Sequence, residues 1–161
     1  MKSEVEKWLE KRGQGIKEEW TDNSEDMISL CESPLEKLFL IEWYYQNYNF
    51  YSDGDLKDYL IVPQYKINNY RIDFFICLDN GVIDPYRYKE NCLIIEIDSY
   101  LWHGEEPEQF AKEKEREREL QKEGYKLMRF SGREIYRDVE KCVNEVANYF
   151  IEKKRNKINK N

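Results

Sequence analysis

Apolar and polar positions change their period several times along this chain. Four short runs, YLIVPQYKI (Tyr59 to Ile67), YRIDFFICL (Tyr70 to Leu78), CLIIEID (Cys92 to Asp98) and YKLMRF (Tyr125 to Phe130), are rich in Ile, Leu, Phe and Tyr. Clusters such as Asp79-Asn80-Gly81 bound them, which predicts strands. Pro63 assigns the first strand to a sheet edge or a bulge. Asn68-Asn69 predicts a hairpin leading into the second.

Helical spacing takes over elsewhere. Ser33-Pro34-Leu35-Glu36 combines a cap, a proline at the first helical position and a returning glutamate, so a helix is expected from there to about Asn47. Leu35, Leu38, Phe39 and Glu42 share one of its sides. Pro107 opens a charged helix, PEQFAKEKERERELQKEG, closed by Gly124, with few recurring apolar positions. Ser131 and Glu134 form another capping box before an unbroken stripe of Ile135, Val139, Cys142, Val143, Val146 and Phe150. The order helix, three strands, helix, strand, helix predicts an α/β fold, a sheet with helices on its faces.

Ahead of this lie two expected short helices within residues 1–31. Ser3 and Glu6 have capping-box spacing, the Gly-Gln-Gly at 13 to 15 interrupts, and Met27, Ile28 and Cys31 make a second apolar stripe. The chain is therefore divided into an N-terminal helical extension (1–32), a main domain (33–152) and a basic C-terminal tail (153–161).

Length and composition narrow the class. At 161 residues and 40% hydrophobic, the chain suits one folded domain with a real core. Neither a signal-type apolar core nor a run of membrane-spanning length occurs, so no membrane is expected and a cytoplasmic location is the default. Cys31, Cys77, Cys92 and Cys142 lack CxxC spacing and fall inside expected helices and strands, reading as small buried residues of a reducing compartment. With one histidine, a zinc site is not expected. The net charge of −7 argues against indiscriminate nucleic-acid binding. Lys153, Lys154, Arg155, Lys157 and Lys160 hold five positive charges at the end, which leaves −12 on residues 1–152.

The second and third strands concentrate the candidate chemistry. Alternation places Arg71, Asp73, Phe75 and Cys77 on one face and Ile72, Phe74, Ile76 and Leu78 on the other; Glu96 and Asp98 likewise oppose Leu93, Ile95 and Ile97. If the strands are neighbours, Asp73, Glu96 and Asp98 meet, with His103 just past the strand end. Crowded carboxylates take up a proton or attract a cation, and hard oxygen donors suit Mg²⁺ or Mn²⁺. Alternatively, Arg71 neutralises the acids and the group is a salt-bridge network. Gln64 is able to reach the same face from the first strand. Tyr86, Arg87, Tyr88 and Lys89, in the loop 79 to 91, suit stacking and phosphate contacts. Lys112, Lys114, Arg116 and Arg118 alternate with glutamates and either pair along their helix or face a phosphate.

The ordered series SPLEKLF, PQYKI, YRIDF, IIEIDSYLWHG and KERERELQKEGYKLMRFSGREI, over roughly residues 33 to 150, resembles the restriction-endonuclease-like PD-(D/E)XK nucleases. Within them it looks most like the branch of the very short patch repair (Vsr) endonucleases and the EDxHD homing endonucleases. The resemblance implies a mixed sheet of about four strands flanked by helices. It implies that Asp73 is a metal-ligating aspartate, that Glu96 is the first acid of the E-x-K element, and that Asp98 stands where that element has lysine. His103 matches the histidine of an FWH-type segment, and Glu36 the glutamate of the branch's first helix. The expected activity is Mg²⁺- or Mn²⁺-dependent hydrolysis of DNA, double-stranded by expectation, with the ion held by Asp73, Glu96 and the Ile97 carbonyl. His103 would move a proton, Gln64 would support the site, Leu101 and Trp102 would wedge between bases, and Lys112 and Arg116 would contact DNA. The glycine often found after the aspartate is Ser99, and the Vsr zinc ligands have no counterpart. So acidic a domain implies a homodimer or partner subunit supplying basic surface, or else a non-catalytic adaptor on a nuclease scaffold.

Overall fold

The computed structural model describes residues 22–48, 59–78, 89–98 and 107–160. Helices α1 (Asp22–Leu30) and α2 (Pro34–Tyr48) precede strands β1 (Tyr59–Ile67) and β2 (Tyr70–Leu78). A 3-10 turn (Lys89–Asn91) enters β3 (Cys92–Asp98), followed by α3 (Pro107–Lys122), β4 (Leu127–Ser131) and α4 (Gly132–Ile158). The sheet runs β1-β2-β3-β4; the first two pairings are antiparallel and β3 with β4 is parallel. A parallel pair needs a crossover, and α3 supplies it. The expected α/β architecture, a four-stranded mixed sheet flanked by helices, is the one observed. The expected features around Ser3, Glu6 and residues 13 to 15 lie outside the described residues.

Two helices cover one face of the sheet. Leu35, Leu38, Phe39, Leu40, Trp43 and Tyr44 of α2 bury against Phe74, Ile76, Leu93, Ile95 and Phe130, together with the apolar stripe of α4. Phe39 sits with its ring centroid 5.3 Å from that of Phe74 and 6.1 Å from that of Phe130. Ser33 caps α2 by accepting the Glu36 N–H at 3.2 Å. Glu42, buried among these side chains, accepts from Gln46 Nε2 at 2.8 Å.

The other face is thinner. Phe75, Cys77, Cys92, Ile94 and Tyr125 pack there with Leu120, the sole buried residue of α3. Because both faces of β3 are covered, every residue from Cys92 to Ile97 is buried, Glu96 included. All four cysteines are buried free thiols, as their apolar surroundings in the sequence predict.

At Ser131 both halves of the capping box form: the side chain accepts the Glu134 N–H at 3.2 Å, and Glu134 Oε2 accepts the Ser131 N–H at 2.7 Å. The predicted stripe of α4 is buried throughout. The helix is nevertheless interrupted at Asp138 (φ −158°, ψ 76°), whose Oδ1 accepts the Lys141 N–H at 3.0 Å and so caps the second segment. Among the described residues no helix is long and apolar enough to cross a membrane.

Candidate active site

β1 and β2 pair regularly except at one level. Pro63 opposes Phe74 and Tyr65 opposes Ile72, leaving Gln64 and Asp73 outside the ladder. Gln64 has φ of +53°, a left-handed backbone uncommon for a residue with a side chain. On the other side, the β2–β3 pairing begins at Phe74 with Ile95, one residue short of Asp73. Asp73 thus stands where the sheet parts, and its side chain does what a strand carbonyl would: Oδ2 accepts the Ile97 N–H at 2.7 Å.

This irregularity corrects the simple alternation expected for β2. Phe74 and Ile76 belong to the core under α2 and α4, whereas Ile72 lies with Phe75 and Cys77 on the opposite face. β1 switches likewise, with Ile61 in the first cluster and Ile67 in the second. A local break of the pleat reverses the side-chain faces beyond it. Arg71, considered above as the partner that neutralises Asp73, instead pairs with Glu32 at an exposed position.

Alternation holds in β3. Glu96 and Asp98 point to the α3 side, opposite Leu93, Ile95 and Ile97. Leu120 fixes which side of α3 faces the sheet, and the residues one and two turns before it on that stripe are Glu117, Arg116 and Glu113. Arg116 Nη2 lies 3.0 Å from Glu96 Oε1, an ion pair without hydrogen-bond alignment. Arg129, opposite Glu96 in β4, reaches three acids: Nη1 to Glu117 Oε1 at 2.8 Å, Nη2 to Glu113 Oε2 at 3.4 Å and Nε to Asp98 Oδ1 at 3.4 Å. Arg129, Glu113 and Glu117 are not among the candidate residues that the sequence pattern picks out. A lone arginine in a short apolar strand, and acids spaced three and seven residues before Leu120, were the available signals.

Glu36 arrives from the other layer. It is buried, and its Oε2 accepts both the Gln64 Nε2–H and the Glu32 N–H at 2.9 Å. The returning bond of its capping motif therefore goes one residue upstream of Ser33. Gln64 turns toward Glu36 because its left-handed backbone lifts it out of the ladder.

Acids outnumber bases here, and burial makes ionisation costly. Desolvation pushes Asp73 up to about 6, against the Ile97 N–H bond, which favours the anion, and with the charge of Glu36, which does not. Glu96 is pushed up to about 8, by burial first and by the charge of Asp73 second, with Arg116 opposing. Asp98 is also raised, mainly by burial, while Arg129 draws it down. Asp73 and Glu96 thus sense each other at the parting of the strands. Among the described residues, no three His, Cys, Asp or Glu side chains form a metal-holding group by themselves. His103, Leu101 and Trp102, and Tyr86 to Tyr88, lie outside the described residues. Lys112 is exposed on α3, while Lys89 donates from Nζ to the Glu123 carbonyl at 2.8 Å.

An antiparallel β1-β2-β3 meander, an α3 crossover to a parallel β4, and acids gathered where β2 and β3 separate define a restriction-endonuclease-like α/β domain. The chain belongs to the restriction-endonuclease-like family REase_MTES_1575, whose profile it matches over residues 55–150. No curated protein and no solved structure matches it.

Proposed function

We propose that the chain is a metal-dependent endonuclease that hydrolyses DNA phosphodiester bonds, with Asp73 and Glu96 as its metal-binding pair. The observation that carries this reading is the placement of two mutually repelling carboxylates, a half-buried Asp73 and a buried Glu96, at the break in the sheet of a restriction-endonuclease-like fold. Arg71, the cation expected to neutralise Asp73 in a salt-bridge network, pairs with Glu32 instead, and the charge of Arg116 leaves Asp73 still raised.

The donors fit a small hard cation. Mg²⁺ keeps several waters and takes one or two carboxylates, so a site short of three acidic side chains suits it. Asp73, Glu96 and the Ile97 carbonyl would hold the ion. When bound, Mg²⁺ or Mn²⁺ supplies Lewis acidity at the scissile phosphate and makes a bound water more acidic. The Ile97 N–H fixes the Asp73 carboxylate. Gln64 and the Glu32 N–H hold Glu36 beside it. This approach of Glu36 to Asp73 supports placing the chain in the Vsr-like branch, where His103 would donate or accept a proton. Leu101 and Trp102 would enter the duplex, and Lys112 would contact its backbone. A dimer mate or partner subunit would supply further basic surface to so acidic a chain.

The test is plasmid cleavage with Mg²⁺, with Mn²⁺ and with EDTA, comparing the parent with Asp73→Asn. Cleavage that needs the ion and disappears in the variant is expected. Cleavage surviving in both EDTA and Asp73→Asn removes the assignment, and no cleavage with no Mn²⁺ binding leaves the adaptor reading.

A further inference from the structure

The inward stripe of α3 is charged where a helix crossing a sheet ordinarily presents apolar side chains. Its two arginine partnerships differ in kind. Arg129 is engaged by three carboxylates and fastens α3 to β3 and β4. Arg116 makes one ion pair, with Glu96 Oε1, and its buried Nε, like that of Arg129, has no hydrogen-bond partner. A guanidinium held on one side only, with a donor unused, is poised to exchange its partner. In the sequence, the E-x-K position that would carry lysine holds Asp98.

We propose that Arg116 is a displaceable counter-ion: it neutralises Glu96 until a divalent cation takes Oε1, and the released guanidinium then provides beside the ion the positive charge that the absent lysine would have given the phosphate. This rests on the metal-dependent reading above. Arg116 is a positioning residue in the ion-free protein, and the metal and the arginine are competitors for one oxygen. A divalent ion experiences the repulsion of Arg116 with twice the charge of a proton. Removing that repulsion therefore strengthens metal binding even though protonation of Glu96 is strengthened as well.

The experiment titrates the full chain with Mn²⁺ at pH 8, without DNA, following the paramagnetic resonance of free Mn²⁺. It compares the parent with Arg116→Gln and Arg116→Lys. Arg116→Gln is expected to bind Mn²⁺ on the order of tenfold more tightly. At saturating Mn²⁺ it is expected to cleave plasmid at least about tenfold more slowly, in line with loss of one charge contact at a reacting phosphate. Arg116→Lys keeps the charge, and falls between parent and Gln variant in both readouts; it carries the test if the Gln variant does not fold. A structural role would lower both quantities together. Equal or weaker Mn²⁺ binding in both variants overturns the inference, as does tighter binding with undiminished cleavage. A parent that binds no Mn²⁺ defeats the metal reading itself, and this inference with it; a parent that binds while the variants fail to bind more tightly defeats this inference alone.

Discussion

Asp73→Asn removes a charge while keeping an oxygen that accepts the Ile97 N–H. Its effect on stability follows from the direction of two shifts. Asp73 and Glu96 hold their protons more tightly in the folded chain, from 3.8 to about 6 and from 4.5 to about 8. Groups raised on folding favour the native state fully below their unfolded values, and that contribution is lost as pH rises through the folded ones. Between pH 6 and pH 8.5 the parent in EDTA should lose about 3 kcal/mol, at 1.36 kcal/mol per unit of pKa displacement. Most of the loss comes from Glu96, because Asp73 is already half ionised at pH 6. In Asp73→Asn the second-largest cause raising Glu96 is gone, so the fall should be about half as steep. The weaker bond from Ile97 to an amide costs roughly 1 kcal/mol at every pH. The variant should therefore already be more stable than the parent at pH 6, where ionisation of Asp73 in the unfolded chain has cost the parent more than the weaker bond costs the variant, and the margin should widen toward pH 8.5, by roughly 2–4 °C in Tm for each kcal/mol. Urea unfolding across this range is the assay, and it stays above the sequence pI near 5.0, where solubility is lowest. Saturating Mn²⁺ at pH 8.5 should restore the parent's stability and leave the variant unchanged. A parent whose stability is flat or rises with pH, or a variant that falls as steeply, refutes the reasoning; titrations elsewhere in the chain cancel in the comparison.

Two other perturbations probe the surroundings. Arg129→Met should destabilise by about 3 kcal/mol at pH 8, because Glu113, Glu117 and Asp98 lose their shared cation. Urea unfolding at pH 8 measures it, and a loss under about 0.5 kcal/mol would dismiss the latch. Burial raises Cys31 and Cys92 to about 12 and Cys142 to about 11. At pH 8 these thiols should react with a disulfide reagent orders of magnitude more slowly in the native chain than in urea, where all four cysteines titrate; rapid native labelling at these three positions would contradict their packing.

The scaffold was legible wherever one period ran without interruption. The stripe from Ile135 to Phe150 needed only helical spacing, and Ser131 with Glu134 only the geometry of a first turn. Glu96 and Asp98 were placed correctly because β3 is a regular strand. Asp73 was different: its orientation depends on Gln64, in another strand, adopting a positive φ, and no residue type at position 64 announces that. The switch of Ile72 to the opposite face follows from the same break. Arg129 was hidden for a related reason. Its partners belong to α3, so its role appears only once the crossover has brought that helix over β4.

The irregular level of the sheet also explains why the acids gather there. A continuous ladder would satisfy the Ile97 N–H with a main-chain carbonyl and leave Asp73 no reason to lie in the plane of the sheet. Breaking the ladder costs strand pairing, and gathering Glu96, Asp73 and Glu36 together costs more, because the charge of Glu36 raises the penalty for ionising Asp73 and that of Asp73 the penalty for ionising Glu96. Apolar residues of similar size at these three positions would give a more stable domain of the same topology. The charges of Arg116 and Arg129 only partly oppose the rise at Glu96, and Arg116 holds it by one unaligned ion pair. On the proposed metal-dependent reading, a cation taken from solution offsets the remaining cost, and occupancy of the parting between β2 and β3 should then govern both the stability of this fold and its activity.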